Sequence, residues 1–158
     1  MTFIDDFSCR TWVYFLKNKF EAFDKFVECK AQAEKECGHY IKVLRSDRGG
    51  EYTSNMFINF CRKNDIKKEF TASYTLQQNG VAERKNRTIV EMARRMMKEK
   101  GLLTEYWGET IAKTMYLINR CPTKAVHDKI PLQAWSKGRW TVAHLRVFKC
   151  VAYAHVPK

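Results

Sequence analysis

Two hydrophobic rhythms alternate along the chain and predict its elements. Thr2-Phe3-Ile4 and Trp12-Val13-Tyr14-Phe15-Leu16 are short β-prone runs. Asp5-Asp6-Phe7-Ser8 between them supplies turn chemistry, so a hairpin is expected. From Lys19 to Cys37 the apolar residues Phe20, Phe23, Phe26, Val27 and Ala31 fall at helical spacing, and Gly38 closes that helix. Ile41-Lys42-Val43-Leu44 reads as a strand, with Gly49-Gly50 as a break after it. Ser54 is placed to cap a helix through Phe57, Ile58 and Cys61, and a strand follows near Lys67–Phe70. Residues 71–80 show no clear period and read as a mobile loop. The longest helical pattern runs from Val81 to Lys100 and ends at Gly101. Thr104 is the expected cap of the next helix, whose Trp107, Ile111, Met115 and Ile118 precede Pro122. A helical turn over 131–135 and a strand or hairpin at about 145–156 complete the series. Strands first and helices later predict a mixed α/β domain with helices packed on a sheet.

Composition narrows the class. The 158 residues are 45% apolar and 13% aromatic, enough for a real core and against intrinsic disorder. No apolar run approaches a membrane span, and Asp5 and Asp6 interrupt the first stretch, which excludes a signal peptide there. The six cysteines form no C-x-x-C pair and no pattern with zinc-finger spacing, so they read as reduced thiols. The expected setting is intracellular, nucleus or cytoplasm, not secreted. The net charge of +12 is unevenly spread: residues 1–40 carry −1, and the next three segments of 40, 40 and 38 residues carry +3, +4 and +6. Such a field draws polyanions, and nucleic acid is the expected partner, with no membrane and no small-molecule substrate.

Two carboxylates stand out in this basic chain. Asp47 follows the predicted strand at its C-terminal end, where ligands reach a sheet, and Glu83 lies near the start of the long helix. Carboxylate oxygens are hard donors suited to Mg²⁺, which uses one or two carboxylates plus phosphate and water. At 100° per residue Glu83, Arg87, Val90 and Arg94 share a face with Asn86 beside them. Ala82, Ile89, Ala93 and Met96 lie on another face and are expected to meet the core. Arg84, Lys85 and Arg87 are candidate phosphate contacts. Read separately, Asp47 is a turn residue and Glu83 an i,i+4 salt-bridge partner of Arg87. Trp12, Trp107 and Trp135 read as packing residues, and Trp140, between Arg139 and Thr141, as an exposed ring able to stack on a base.

These residues sit in two longer motifs. Ser46-Asp47-Arg48-Gly49-Gly50-Glu51-Tyr52-Thr53-Ser54 resembles the second-Asp motif of retroviral-type integrases. Gln77-Gln78-Asn79-Gly80-Val81-Ala82-Glu83-Arg84-Lys85-Asn86-Arg87-Thr88 resembles the Glu-bearing motif of copia-type retrotransposon integrases. Thirty-five residues separate Asp47 from Glu83, as in that family. Phe3-Ile4-Asp5-Asp6-Phe7-Ser8, Tyr116-Leu117-Ile118-Asn119-Arg120 and His144-Leu145-Arg146-Val147-Phe148 extend the likeness over nearly the whole chain. One departure is Lys149, where the family has Gly.

The resemblance implies a ribonuclease H-like α/β fold, a mixed sheet flanked by helices, and the D,D-35-E core of a Pol polyprotein integrase. It assigns residues 1–122 to that core and residues 123–158 to a C-terminal extension. It makes Asp47 and Glu83 the second and third catalytic acids, holding two Mg²⁺ ions together with a first acid. The implied reaction is 3′-end processing and strand transfer, with self-association and with element ends and target DNA as partners. Tyr74, Gln77 and Asn79 would approach the DNA end, Asn86 and Arg87 the scissile strand. In the family the first acid lies on an opening strand, and this chain begins at the next one. The expectation is therefore a core lacking the first catalytic strand, with an incomplete metal site and impaired chemistry. Asp5 and Asp6 match the hairpin end instead. The alternative is a non-catalytic DNA-binding or self-associating remnant; a third reading is a ribonuclease H-like nuclease.

Overall fold

The computed structural model describes residues 1–71, 76–127, 129–136, 138 and 140–150, with the backbone alone over 76–79. Strands β1 (Thr2–Ile4) and β2 (Thr11–Val13) form the expected antiparallel hairpin, with Phe3 opposite Trp12. Asp5 shapes its turn, its carboxylate accepting from the Ser8 amide and hydroxyl at 2.7 Å each. Helix α1 (Ala22–Cys37) ends at Gly38 in the left-handed conformation, φ +72°, which a glycine adopts without cost.

The buried face of α1 differs from the expected one. Ala22, Phe26, Cys29 and Ala33 are buried, whereas Phe20 is 92% exposed and Ala31 is exposed. A 3₁₀ turn over Lys19–Glu21 rotates Phe20 outward, and small Ala and Cys side chains allow close packing beneath the strands.

Strand β3 (Val43–Ser46) pairs in parallel with β4 (Lys67–Phe70), Val43 opposite Lys67. Between them, Gly49-Gly50 does not merely break the chain: Gly50 opens a one-turn helix α2 (Gly50–Thr53). Helix α3 (Asn55–Lys63) follows, and the Ser54 hydroxyl accepts from Phe57 N, as expected of its cap. Phe26, Phe57, Cys61 and Ile66 form one core cluster, joined by Leu44 and Tyr52.

Helix α4 (Leu76–Glu99) starts five residues earlier than its hydrophobic pattern, so 76–80 are helical rather than loop. Polar Gln77, Gln78 and Asn79 gave no period from which to read that first turn. The rest of the expected mobile loop, residues 72–75, lies outside the described residues, apart from Thr71. Ile89 and Ala93 of α4 pack on Ile111 and Met115 of α5 (Trp107–Ile118). Thr104 does not cap α5. It begins a 3₁₀ turn, Thr104–Tyr106, with no side-chain cap, because the helix proper starts at Trp107. Helix α6 (Pro131–Ser136) brings Trp135 edge-on to Trp12, ring centroids 5.1 Å apart. Residues 145–150 are irregular backbone with a turn at 148–149 rather than a strand, while 151–158 lie outside the described residues. The backbone there bends through Lys149 at φ +58°, incompatible with an extended run.

Among the described residues the strands form two separate two-stranded sheets. No helix among them is long and apolar enough to cross a membrane.

Candidate active site

Asp47 leaves β3 at its C-terminal end and is exposed. Its Oδ1 accepts from Gly49 N at 3.0 Å, a bond that turns the chain sharply into α2. Gly49 has an ordinary φ of −55°, so space rather than conformation requires glycine there. A Cβ on it would stand 3.0 Å from Asp47 Oδ1 and 2.8 Å from Glu51 Oε2. Both carboxylates thus crowd one point. Tyr52 lies beside them, its hydroxyl pushed up to about 12 by burial and, secondarily, by the charges of Asp47 and Glu51. The Lys68 ammonium anchors this turn from below: it donates to the Tyr52 carbonyl and lies 5.0 Å over the Phe57 ring. Burial holds its pKa below the usual lysine value.

Glu83 sits on the exposed side of α4, and it lines the same cleft as Asp47 and Asn86. That cleft, of about 1330 Å³, lies between the hairpin, α1, β3 and α4. The two carboxylates that 35 residues separate in sequence thus line one cleft. Arg87 and Arg94 are exposed on α4, Val90 is half-buried and Ile89 and Ala93 are buried, in keeping with the two predicted faces. Arg84 is exposed and folds its guanidinium back over buried Gly80. Lys85 departs from this group. It is half-buried, two residues and so more than half a turn from Glu83, and burial lowers its pKa, partly offset by the Cys9 thiol. Gln77 and Asn79 fall in the first turn of α4, with side chains outside the described residues, as is Tyr74 altogether.

Sequence reading missed Glu51 and Tyr52 as neighbours of Asp47. The signal was Gly49-Gly50, which marks backbone folded close against something. It also missed the ion pairs at the cleft rim, where Arg45 reaches Asp6 at 3.0 Å and Glu69 at 3.5 Å. Asp5 and Asp6 line the cleft too, but Asp5 is engaged by Ser8 and Asp6 by Arg45.

The donor chemistry fits Mg²⁺. Two carboxylates on one cleft suit an ion that keeps several waters and takes one or two protein oxygens. Among the described residues no group of three His, Cys, Asp or Glu side chains converges as a metal site. Away from the cleft, Trp140 is 42% exposed, as expected, and Arg120 lies between it and Tyr116, 5.7 and 3.6 Å from the ring centroids.

Comparison with known proteins decides the family. The Integrase core domain family matches residues 1–75, and a Pol polyprotein from tobacco transposon TNT 1-94 is 47% identical over all 158 residues. The chain belongs with the integrase cores of Pol polyproteins. The Pol polyprotein of Arabidopsis transposon RE2 is 32% identical over 151 residues, 96% of this chain. The chain spans only 12% and 10% of these two relatives. The family match ends before Glu83, but both relatives align beyond it.

Solved integrases share the fold. A chain of the simian T-cell lymphotropic virus intasome, solved with a PP2A regulatory subunit, superposes with a TM-score of 0.70 at 17% identity. That match covers 98% of this chain and 53% of the other. The HTLV-2 integrase catalytic core solved with magnesium, in a trimeric form, gives 0.64 at 20% identity, covering 85% and 82%. The integrase core thus has a ribonuclease H-like mixed α/β fold.

Proposed function

We propose that this chain binds DNA along the cleft carrying Asp47 and Glu83 and takes part in metal-dependent DNA integration. The observation that supports the reading is that both carboxylates line one cleft of a chain with net charge +12. Asp47 and Glu83 would hold Mg²⁺ at this position, and the ion would supply charge neutralisation to phosphodiester chemistry. Asp47, fixed by the Gly49 amide, and Glu83, fixed on a long helix, hold that position. Asn86, Arg84, Arg87 and Arg94 orient the phosphates, with Tyr74, Gln77 and Asn79 toward the DNA end. Lys85 contributes only by turning out of its half-buried position. The processing of 3′ ends and their transfer into target DNA are the steps proposed, and self-association would bring two DNA ends together. The dimeric and trimeric forms of the HTLV-2 core are consistent with that.

Among the described residues no three His, Cys, Asp or Glu side chains converge. That observation favours a second reading, a DNA-binding element without catalysis. A joining assay on a short end-mimicking duplex with Mg²⁺ or Mn²⁺ separates them. Integration predicts measurable product, lost by at least about 100-fold in Asp47→Asn and in Glu83→Gln, with folding intact. Salt-dependent DNA affinity unchanged in both variants, without any joined product, would leave only the second reading.

A further inference from the structure

We propose that Trp140, Arg120 and Tyr116 form a stacking platform for unpaired bases, and that its ligand is single-stranded DNA. None of the three lines the cleft of Asp47 and Glu83. Tyr116 lies on α5, Arg120 one turn further on, just past the helix end, and Trp140 a few residues beyond α6. The guanidinium carbon of Arg120 stands 3.6 Å from the Tyr116 ring centroid and 5.7 Å from that of Trp140. Its Nη1 donates to the Tyr116 carbonyl at 3.3 Å, which holds the guanidinium over that ring. The Tyr116 hydroxyl bonds His144 Nε2, and the His144 ring meets Tyr116 edge-on at 6.0 Å.

Trp140 is fixed by its edge. Its Nε1 donates to Ser136 Oγ at 3.1 Å, and the Ser136 hydroxyl donates to the Leu132 carbonyl at 2.9 Å. A Cβ on Gly138 would lie 3.1 Å from that indole nitrogen, so glycine there gives the ring its seat. Trp12 and Trp135 show the contrast. They pack edge-on to each other at 5.1 Å, and Trp12 is buried, whereas Trp140 is 42% exposed and stacks on no aromatic ring among the described residues. An exposed indole already pinned at its edge loses little freedom when a base settles on it.

The charges select the ligand. Residues 110–150 hold eight basic side chains and one acidic. Exposed Lys113 stands 5.4 Å over the Tyr116 ring. Among the described residues neither Lys113 nor Arg120 takes part in a carboxylate ion pair. Aromatic faces interleaved with such cations suit a chain of alternating bases and phosphates, the rings stacking bases and the cations holding the backbone. In a duplex the faces of the bases are covered by their neighbours, so the platform selects an unpaired strand. The choice of DNA over RNA rests on the proposed function; the stacking chemistry does not.

The test uses the full chain, without added metal, and a deoxythymidylate hexamer. Trp140→Ala should weaken hexamer binding at least about tenfold, the loss of one stacked base, and leave the affinity for a blunt hairpin duplex unchanged. Trp140→Phe keeps a ring and should restore most of the affinity. A hexamer backbone without bases should bind the parent chain and Trp140→Ala alike. Lys113→Ala should lower the salt dependence of hexamer binding by about 0.7 in slope, the share of one phosphate contact on a single strand. Equal hexamer affinity in the parent chain and Trp140→Ala would overturn the proposal, as would an equal loss on the duplex or on the base-free backbone. A uridylate hexamer bound at least about tenfold tighter than the deoxythymidylate one would overturn the assignment to DNA. The dependence on Trp140 should persist in Asp47→Asn, so a failed joining assay leaves the platform standing. Its disappearance there would put the hexamer in the cleft and overturn the proposal.

Discussion

The two small sheets of this core are held by different means. The β1–β2 hairpin is tied at its outer edge by the buried Asn119 side chain, 108 residues away in sequence, and Trp12 packs on Cys29, Ala33 and Trp135. Among the described residues no side chain clasps the edge of the β3–β4 pair in that way. That pair rests through Leu44 on the aromatic cluster of Phe26 and Phe57, whose rings stack at 4.9 Å, and β3 otherwise alternates toward solvent. The hairpin thus adds a buried side-chain clasp to its packing, whereas β3 is held mainly by apolar packing from one face. The strand that bears Asp47 is therefore supported from below and left accessible above. A metal-binding carboxylate needs that combination of rigid placement and open approach.

The sharpest way to break the comparison is Phe57→Ala. Phe57 is fully buried, and its removal leaves a cavity under β3 and β4 costing about 3–5 kcal/mol. Denaturant unfolding should show that loss, and amide exchange should accelerate in β3 and β4 before it does at Thr11. Asn119→Ala reverses the pattern. Two buried groups of Thr11 lose their partners, for about 2–4 kcal/mol, and the hairpin should loosen first. Equal loosening of both sheets in both variants would show that they unfold as one unit.

Alkaline pH separates the two regions more gently. Burial raises the Cys29 thiol, beside the hairpin, from 9.0 to about 12, and the Tyr52 hydroxyl, beside Asp47, from 10.0 to about 12. Both groups are favoured neutral in the fold. Their stabilising contribution is complete below the unfolded value and is lost as pH climbs toward 12. Stability should begin to fall near pH 9 through Cys29 and fall further above pH 10 through Tyr52. Burial raises the Cys61 thiol and the Tyr14 hydroxyl too, so Cys29→Ala should lessen the first part of that decline and Tyr52→Phe the second, without abolishing either, as read from denaturation midpoints between pH 8 and 11.

Much of this arrangement was legible in the chain. The hairpin announces itself through β-prone runs around Asp5-Asp6-Phe7-Ser8, and β4 falls where Lys67–Phe70 was read. Glu83, Arg87 and Arg94 land on one exposed face because a 3.6-residue period is purely local. What escaped was set by distant parts of the fold. The seat of α1 depends on which side chains let the strands come close, so Ala22 and Ala33 are chosen over larger Phe20. The half-burial of Lys85 and the nearness of Glu51 to Asp47 are likewise tertiary facts with no periodic trace. Lys149 is a partial exception: it stands where the related motif has Gly, and its φ of +58° explains why glycine suits that place.

The smallest predicted effect concerns an ion pair that links the two sheets. Arg45 of β3 reaches Asp6 beyond β1 at 3.0 Å, and it also meets Glu69 of β4 at 3.5 Å. All three side chains are substantially exposed, so Arg45→Ala should cost no more than about 0.5 kcal/mol, shrinking further in high salt. Its value is diagnostic rather than energetic. If the sheets are coupled only through this contact, the variant will let the hairpin and β3–β4 exchange their amides independently. If the shared α1 beneath both couples them instead, exchange in the two sheets will stay correlated. The second outcome is expected, because α1 supplies Phe26 to one cluster and Cys29 and Ala33 to the other, on a single rigid helix.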